Sequence, residues 1–312
     1  MSGFPVQSSP AVANGTVYIG DTSYLYALNA NTGALLWRYT TGGYTDSPAI
    51  ANGLLYVGSD DGTLRALNAR TGEVVWTYTT GAEIFQSSPT IVNGVVYIGS
   101  RDNSVYALDA GTGALRWKYT TKGWTDSSPA VAGGVVYISS RDGNLYALDA
   151  NTGSLRWRYA IGGFFVPPPA VADGVVYIGS LAGNLYALNA STGALLWSDA
   201  GVDVESSPSV ANGVVYFGSD DYNLYALSAS TGALLWKYTT GFLVESAATV
   251  ANGVVYLPSE DATLYALNAG TGELLWHYQT GSYLQGSPSV VNGVVYVGSN
   301  DQKLYAFQLP SH

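Results

Sequence analysis

The sequence is dominated by one segment of roughly 40 residues that is repeated along almost the whole chain. The hexapeptide TGALLW at Thr32–Trp37 returns six more times with small changes, and a Leu-Tyr-Ala-Leu-type element occurs eight times. Seven of the eight tryptophans keep the repeat register: Trp37, Trp76, Trp117, Trp157, Trp197, Trp236 and Trp276. In such arrays each unit buries its apolar face against its neighbours. We therefore expect residues 1–312 to form a single domain of eight repeats.

Each repeat reads as four short strands separated by turn signals. A small-residue SPAV segment is followed by the β-branched run VVYIG, the alternating LYALNA and the bulky ALLWRYTT. Asn-Gly joins the first two segments in most repeats, as at Asn14-Gly15, and suits a two-residue hairpin with positive φ at both positions. A Thr-Gly turn precedes the Trp segment, and no stretch has a helical period. The repeat unit is thus predicted to be a four-stranded antiparallel meander.

The size of the side chains predicts how the strands are ordered within a wedge-shaped blade. Ser, Pro and Ala fit a crowded first strand near an axis, whereas Trp and Tyr fill a wide outer gap. The sequence therefore predicts an all-β, eight-bladed β-propeller. Only seven repeats reach the Trp segment, so the last blade is predicted to lack its outer strand and to leave Leu304–Phe307 as an unpaired edge.

The segment Ala27–Trp37 also resembles the tryptophan-docking motif of the PQQ-like propeller repeats. Its sequence ALNANTGALLW fits the pattern A-x-D/N-x-x-T-G-x-x-x-W, which recurs seven times here. The resemblance implies an eight-bladed propeller in which the seven repeated tryptophans are structural docking residues. It leaves the activity open, because that family includes quinoprotein alcohol dehydrogenases as well as non-enzymatic outer-membrane assembly and sensor propellers.

The repeats differ from one another mainly in two connections, which we call the variable loops. One joins the Trp strand to the next blade, and the other joins the second and third strands; both are expected at the same end of the blades. Sixteen of the 22 acidic residues but only four of the 12 basic residues lie there, which gives these loops a net charge of −12. Nucleic acid is an unfavourable partner for such a surface, whereas a cation or a basic peptide would be attracted.

Aromatic, carboxylate and amide side chains cluster in these loops just before the first strands. Aromatic faces beside carboxylates suit a cation or a carbohydrate ring, and the alternative is that they only pack on the blades and cap hairpins. The candidate ligand-binding residues are Tyr44, Asp46, Phe85, Gln86, Trp124, Asp126, Phe165, Glu205, Glu245 and Gln285.

The sequence offers little support for catalysis. There is no Cys, His277 follows Trp276 on an outer strand, and His312 is the last residue, so thiol and His-based sites are not expected. Quinoprotein dehydrogenases resemble this chain in their repeats, but they also use long insertions, a calcium site and commonly a vicinal Cys pair. We therefore predict a non-enzymatic binding or scaffold propeller with no catalytic residue. A ligand-free product of repeat amplification or engineering, and a quinoprotein-like or carboxylate-based enzyme, stay open as alternatives.

We expect no cofactor and no dedicated metal site, with calcium at the mouth of the channel as the simplest cation candidate. The expected partner is a protein, a peptide, or a small cationic or carbohydrate ligand. The N-terminal residues lack a charged and apolar leader, and no apolar run is long enough to cross a bilayer. The family resemblance implies an extracytoplasmic bacterial domain.

Overall fold

The computed structural model describes residues 4–163, 167–201 and 203–308, and every regular element in them is a β-strand. Contacts divide the chain into two compact units. The first unit is Ser8–Ala160, and the second unit is Met1–Gln7 together with Ile161–His312. Each unit is described on its own below.

The first unit contains four sheets, each a meander of four antiparallel strands in chain order, which are blades one to four. Their strands are β1 (Ala11–Ala13), β2 (Thr16–Gly20), β3 (Tyr24–Asn29), β4 (Leu35–Thr40), β5 (Ala49–Ala51), β6 (Leu54–Val57), β7 (Thr63–Asn68), β8 (Val74–Thr79), β9 (Thr90–Val92), β10 (Val95–Ser100), β11 (Ser104–Asp109), β12 (Leu115–Thr120), β13 (Ala130–Ala132), β14 (Val135–Ser140), β15 (Asn144–Asp149) and β16 (Leu155–Ala160).

The second unit contains three more four-stranded blades and a final sheet of three strands, which are blades five to eight. Their strands are β17 (Ala170–Ala172), β18 (Val175–Ser180), β19 (Asn184–Asn189), β20 (Leu195–Ala200), β21 (Ser209–Ala211), β22 (Val214–Gly218), β23 (Asn223–Ser228), β24 (Leu234–Thr239), β25 (Thr249–Ala251), β26 (Val254–Pro258), β27 (Thr263–Asn268), β28 (Leu274–Gln279), β29 (Ser289–Val291), β30 (Val294–Ser299) and β31 (Lys303–Gln308).

Turn chemistry and burial follow the predicted pattern. Asn14 and Gly15 have φ of 49° and 72°, as the two-residue hairpin between β1 and β2 requires. The second and third strands carry most of the core: β10, for example, is buried throughout, while the outer strand β4 is mostly exposed. Within each unit the short first strands of neighbouring blades approach one another, so the small residues lie where the blades are narrowest.

The repeated tryptophans join neighbouring blades within each unit. The indole Nε1–H of Trp76 donates to the carbonyl oxygen of Ala110 in the next blade at 2.9 Å. A Cβ at Gly113 of that blade would lie 2.7 Å from the Trp76 ring, and Gly113 has φ of 73°. The Thr-Gly turn therefore requires glycine for two reasons, its left-handed backbone and the close approach of the preceding Trp. This contact explains why Trp and Gly recur together.

In the described residues the last blade consists of β29, β30 and β31, as predicted. The Val6 N–H donates to Ser299 O at 3.3 Å, as the Leu284 N–H does to Ser259 O in the preceding blade at 3.4 Å. The described N-terminal residues thus take the position of a connection between blades and do not supply the Trp strand. Phe307 packs against Trp276 with ring centroids 5.7 Å apart, at the repeat position that Leu108 occupies in the cluster with Trp76.

Candidate functional site in the acidic variable loops

Backbone hydrogen bonds hold the two variable loops of a blade together. A residue one or two positions after the second strand donates its N–H to a carbonyl of the loop that enters the same blade. The distance is 2.9 Å for Arg101 to Glu83, 2.8 Å for Arg141 to Trp124 and 3.1 Å for Glu260 to Leu243. We call the position of this donor the turn position. We call the position just before the small residues that lead into the first strand, such as Asp126, the entry position.

The side chain at an entry position lies between two turn positions, that of its own blade and that of the preceding blade. In the first unit Asp126 contacts Arg141 and Arg101 in this way. In the second unit the amide of Gln285 contacts Asn300 at 3.1 Å and Glu260 at 2.8 Å. The geometry is the same in the two units, so the local charge is decided by which residues occupy these positions.

The Asp that follows the turn position is structural in most blades. Asp142 Oδ2 accepts a hydrogen bond from the Tyr146 hydroxyl at 2.5 Å, and Asp142 Oδ1 accepts one from the Asn144 N–H at 3.1 Å. Burial alone would raise the pKa of Asp142, but the hydrogen bonds from Tyr146 and Asn144 outweigh it and lower that pKa. Asp261 and Asp301 bind Tyr265 and Tyr305 in the same way, at 2.7 Å and 2.6 Å. These acids cap the turn and are not available to a ligand.

The first unit holds an arginine-bridged cluster, formed by Glu83, Phe85, Arg101, Trp124, Asp126 and Arg141. Asp126 is 8% exposed and lies 2.7 Å from Arg141 Nη2 and 3.3 Å from Arg101 Nε. The carbon Cζ of Arg101 is 3.8 Å from the ring centroid of Phe85 and 4.8 Å from that of Trp124. The aromatic and acidic side chains predicted to bind a foreign cation therefore surround guanidinium groups of the chain itself.

Asp46 is the most buried carboxylate among the candidates, at 5% exposure. Burial raises its pKa well above the usual range, Asp60 raises it further, and the backbone N–H groups of Gln86 and Ser87 oppose the change by donating to it. Gln86 has φ of 55°, and a left-handed residue lets successive N–H groups converge on one anion. Gln86 thus contacts Asp46 through its backbone, while its side chain is exposed.

The second unit holds a carboxylate cluster, formed by Asp203, Glu205, Asp220, Glu245 and Glu260. Glu205 lies within hydrogen-bonding reach of Asp220, and Glu245 lies within reach of Glu260, so the carboxylates of this cluster are close together. Among the described residues, no Lys, Arg or His forms an ion pair with any of the five. Lys303, the base of this unit's variable loops, lies 3.0 Å from Asp301.

Crowding of like charges changes the acidity of this cluster. Burial raises the pKa of Glu245 to about 7, with further contributions from Glu260, Glu205 and Asp220. Burial also raises the pKa of Glu205, followed by the repulsion from Asp220. Part of the cluster is therefore protonated near neutral pH, and a cationic group placed beside it would restore the full negative charge.

The remaining candidates lie at the edges of these clusters or outside the described residues. Tyr44 is half-buried, and burial followed by Asp46 and Asp60 raises its pKa. Gln285 also accepts a hydrogen bond from Gln7 at 2.8 Å and is thereby fixed beside Glu260. Phe165 falls outside the described residues. Our sequence reasoning missed Arg101, Arg141, Asp220 and Glu260 as partners of the entry positions, although all four occupy the same repeat position.

The described residues contain no helix that could cross a membrane. They also contain no group of three or more Asp, Glu or His side chains placed to hold a metal ion. Calcium binding at the variable loops stays a prediction.

Comparison with solved structures identifies the class of protein. BamB from Moraxella catarrhalis is 20% identical over 97% of this chain and 96% of its own, with a TM-score of 0.84. The computationally designed Ika8 protein is 17% identical over 98% and 96%, with a TM-score of 0.88. Quinohemoprotein alcohol dehydrogenase from Comamonas testosteroni is 17% identical over 98% of this chain and 76% of its own, with a TM-score of 0.81. The chain is an eight-bladed PQQ-type β-propeller whose last blade has three strands, as predicted.

The family follows from the sequence. The family described as outer membrane protein assembly factor BamB matches residues 2–123, 82–164, 101–206 and 199–311. The chain belongs to this family. No curated protein matches it.

Proposed function

We propose that this propeller is a non-enzymatic scaffold that binds a basic segment of a partner protein through the carboxylate cluster of its second unit. The observation that carries the proposal is the absence of any basic side chain paired with these five carboxylates among the described residues. Repulsion between them is relieved by protonation when no ligand is bound, and Lys or Arg side chains of a partner would relieve it better.

The family supports a protein partner. Its members are described as outer membrane protein assembly factors, and such a role requires contacts with other proteins. Exposed aromatic rings in the loops of the same unit, Phe242 stacked on Tyr222 at 5.5 Å and Tyr283 at 53% exposure, provide apolar contact area beside the charges. A basic segment containing aliphatic or aromatic residues fits this combination.

Isothermal titration with a 12-residue Lys/Arg-rich peptide tests the proposal. We expect saturable binding that weakens steeply between low and physiological salt, because the contacts are between charges. The variant Glu205→Gln/Glu245→Gln/Glu260→Gln should lose at least tenfold in affinity.

The matched control removes three carboxylates elsewhere. Glu73→Gln/Asp173→Asn/Glu273→Gln changes the net charge by the same amount at exposed turns outside the variable loops. Asp173→Asn also restores the Asn-Gly turn of the other repeats. If the two triple variants lost the same amount of affinity for the peptide, the effect would be one of net charge, and a specific binding site would be contradicted. Absence of binding to the wild-type chain would favour the ligand-free repeat protein.

A further inference from the structure

The outer edge of the last blade is unlike that of any other blade. In the described residues, β31 pairs with β30 and with no strand on its other side, whereas the third strand of each other blade is covered by a Trp strand. The consequence is visible in burial: Ala27, Ala66 and Ala107 are fully buried in their blades, and the equivalent Ala306 is exposed. A strand with unpaired N–H and C=O groups along one side is a template for another strand.

The other seven blades show which strand fits there. In each of them the Ala of the third strand pairs with the Trp of the fourth, as Ala107 with Trp117 and Ala226 with Trp236. Two residues earlier on the third strand, an apolar residue pairs with Tyr in six of the blades, as Val105 with Tyr119. A β-bulge follows the Ala in every case, and two apolar residues precede the Trp in five of the seven blades. The fitting segment is therefore extended and carries Trp-x-Tyr after two apolar residues.

β31 retains the features that receive such a strand. Ala306 is as small as the Ala that pairs with Trp in the other blades, and it is exposed because no fourth strand among the described residues covers it. The rings of Tyr305 and Phe307 lie parallel with their centroids 6.1 Å apart, and Phe307 packs on Trp276. The edge strand β31 is therefore supported by aromatic packing. The surface that receives a fourth strand in seven blades is thus present again on β31, and the described residues contain no fourth strand beside it.

We infer that the edge of β31 is a docking site for a Trp-bearing extended segment of a partner protein, which completes the last blade as its fourth strand. A second copy of this chain is a poorer occupant, because its Trp strands are already paired within their own blades. The described residues at the N-terminus are also engaged elsewhere, since Val6 bonds to Ser299 in the position of a connection between blades. Backbone pairing would supply affinity, and the Trp and Tyr side chains of the segment would supply specificity.

A labelled peptide provides a direct test with the full chain. A fluorescein-tagged GALLWKYTT, which copies residues 232–240, is titrated with the protein, and its anisotropy is recorded. We expect saturable one-to-one binding, and the same peptide with Trp236→Ala should bind at least tenfold more weakly. Hydrogen exchange should slow in residues 303–308 on binding and stay unchanged in the outer strands of the other blades.

Two variants locate the binding. Ala306→Glu places a charge where the indole would sit and should weaken binding at least tenfold. Ala34→Glu is the matched control, because Ala34 is exposed in a Thr-Gly turn where Glu73 and Glu273 occur naturally in other repeats. It should bind the peptide like the wild type.

Three results would overturn the inference: no binding at peptide concentrations of about 1 mM, binding that Ala306→Glu leaves intact, or protection that appears outside residues 303–308. Sedimentation compares the oligomeric state of the wild-type chain with that of the Ala306→Glu variant. A dimer that forms without peptide and is lost in Ala306→Glu would assign the edge to a second copy instead. If the Ala306→Glu variant melts far below the wild type, the hydrogen-exchange pattern of the wild type and the affinity of the Trp236→Ala peptide still test the inference.

Discussion

The arginine-bridged cluster of the first unit and the carboxylate cluster of the second are built on the same positions, but the first is formally neutral and the second carries only acids. At the turn position the first cluster has Arg101 and Arg141, and the second has Asp220 and Glu260. At the entry position both have acids, Asp126 in one and Glu205 and Glu245 in the other. In the first cluster the acid is paired within the chain, whereas in the second cluster it meets further acids.

The comparison shows how a repeat fold separates stability from recognition. The strands, the Thr-Gly turns and the Trp contacts are nearly invariant, so one exchange at a turn position changes the local charge without changing the backbone. A cluster whose charges are paired within the chain is costly to break, and one whose charges are not paired is available to a partner. The four predictions below test this comparison.

The largest effect on stability is expected from removing the Trp contacts, and the loss should be the same in the two units. Trp117→Ala and Trp236→Ala each remove an indole that packs on the next blade and donates to Ala150 O at 2.9 Å or to Ala269 O at 3.1 Å. Each variant should lower the free energy of unfolding by about 3–5 kcal/mol, measured by denaturant titration. Losses that differ severalfold between the two would show that the units differ in their frameworks as well as in their loops.

Removing the arginines should destabilise the first unit. Arg101→Met/Arg141→Met leaves Asp126 buried without a counter-charge and should cost about 3 kcal/mol in the free energy of unfolding. Adding Asp126→Asn should recover most of that loss, because the uncompensated charge is then gone. Arg70→Met/Arg158→Met, at exposed positions, is the control and should be close to neutral. If the control variant lost as much free energy of unfolding, the loss would be due to general charge balance and not to the uncompensated charge of Asp126.

Placing an arginine in the second unit should make its cluster resemble the first. Glu260→Arg puts a guanidinium at the turn position between Glu245 and Gln285 and should stabilise the fold by about 1–2 kcal/mol. The same change should reduce binding of the basic peptide, since the cluster then carries its own cation. Glu273→Arg is the control for net charge. Destabilisation by Glu260→Arg together with unchanged peptide binding would contradict our account of the cluster.

The smallest effect is a pH dependence of stability that belongs to the second unit. The pKa of Glu245 is raised to about 7 in the folded chain by burial and then by its acidic neighbours. The folded state therefore binds more protons than the unfolded state between the ordinary glutamate pKa and about 7, so this group's contribution to stability falls as pH rises through that window. Glu245→Gln should raise the melting temperature by about 2–4 °C at pH 8 and by less at pH 5. Equal shifts at both pH values would show that Glu245 is not the titrating group.

Much of the fold could be predicted from the sequence because its determinants are local and repeated. Asn14-Gly15 specifies a hairpin by backbone conformation alone, and the spacing of the seven tryptophans fixes the blade length. The missing eighth Trp segment predicted the three-stranded last blade. These inferences require only turn chemistry and the alternation of side chains along strands.

The candidate site was predicted only in part. The location of the acids in the variable loops was evident from the sequence, but the sequence did not show that Asp142 and Asp261 cap turns while Glu205 and Glu245 do not. Asp142 and Asp261 each have a Tyr four residues later, whereas Glu205 and Glu245 each precede a Ser. They differ in whether a Tyr hydroxyl or another carboxylate lies beside them in space.

The sequence by itself determined the blades, their number and the incomplete edge at β31, since each depends on residues close together in the chain. The tertiary structure decided the charge state of the loops. Asp126 and Arg101 are 25 residues apart, and so are Gln285 and Glu260, and they meet because neighbouring blades bring an entry position between two turn positions. Whether a carboxylate is neutralised depends on the charges within a few ångströms of it, and these are supplied by another loop of its own blade and by the preceding blade.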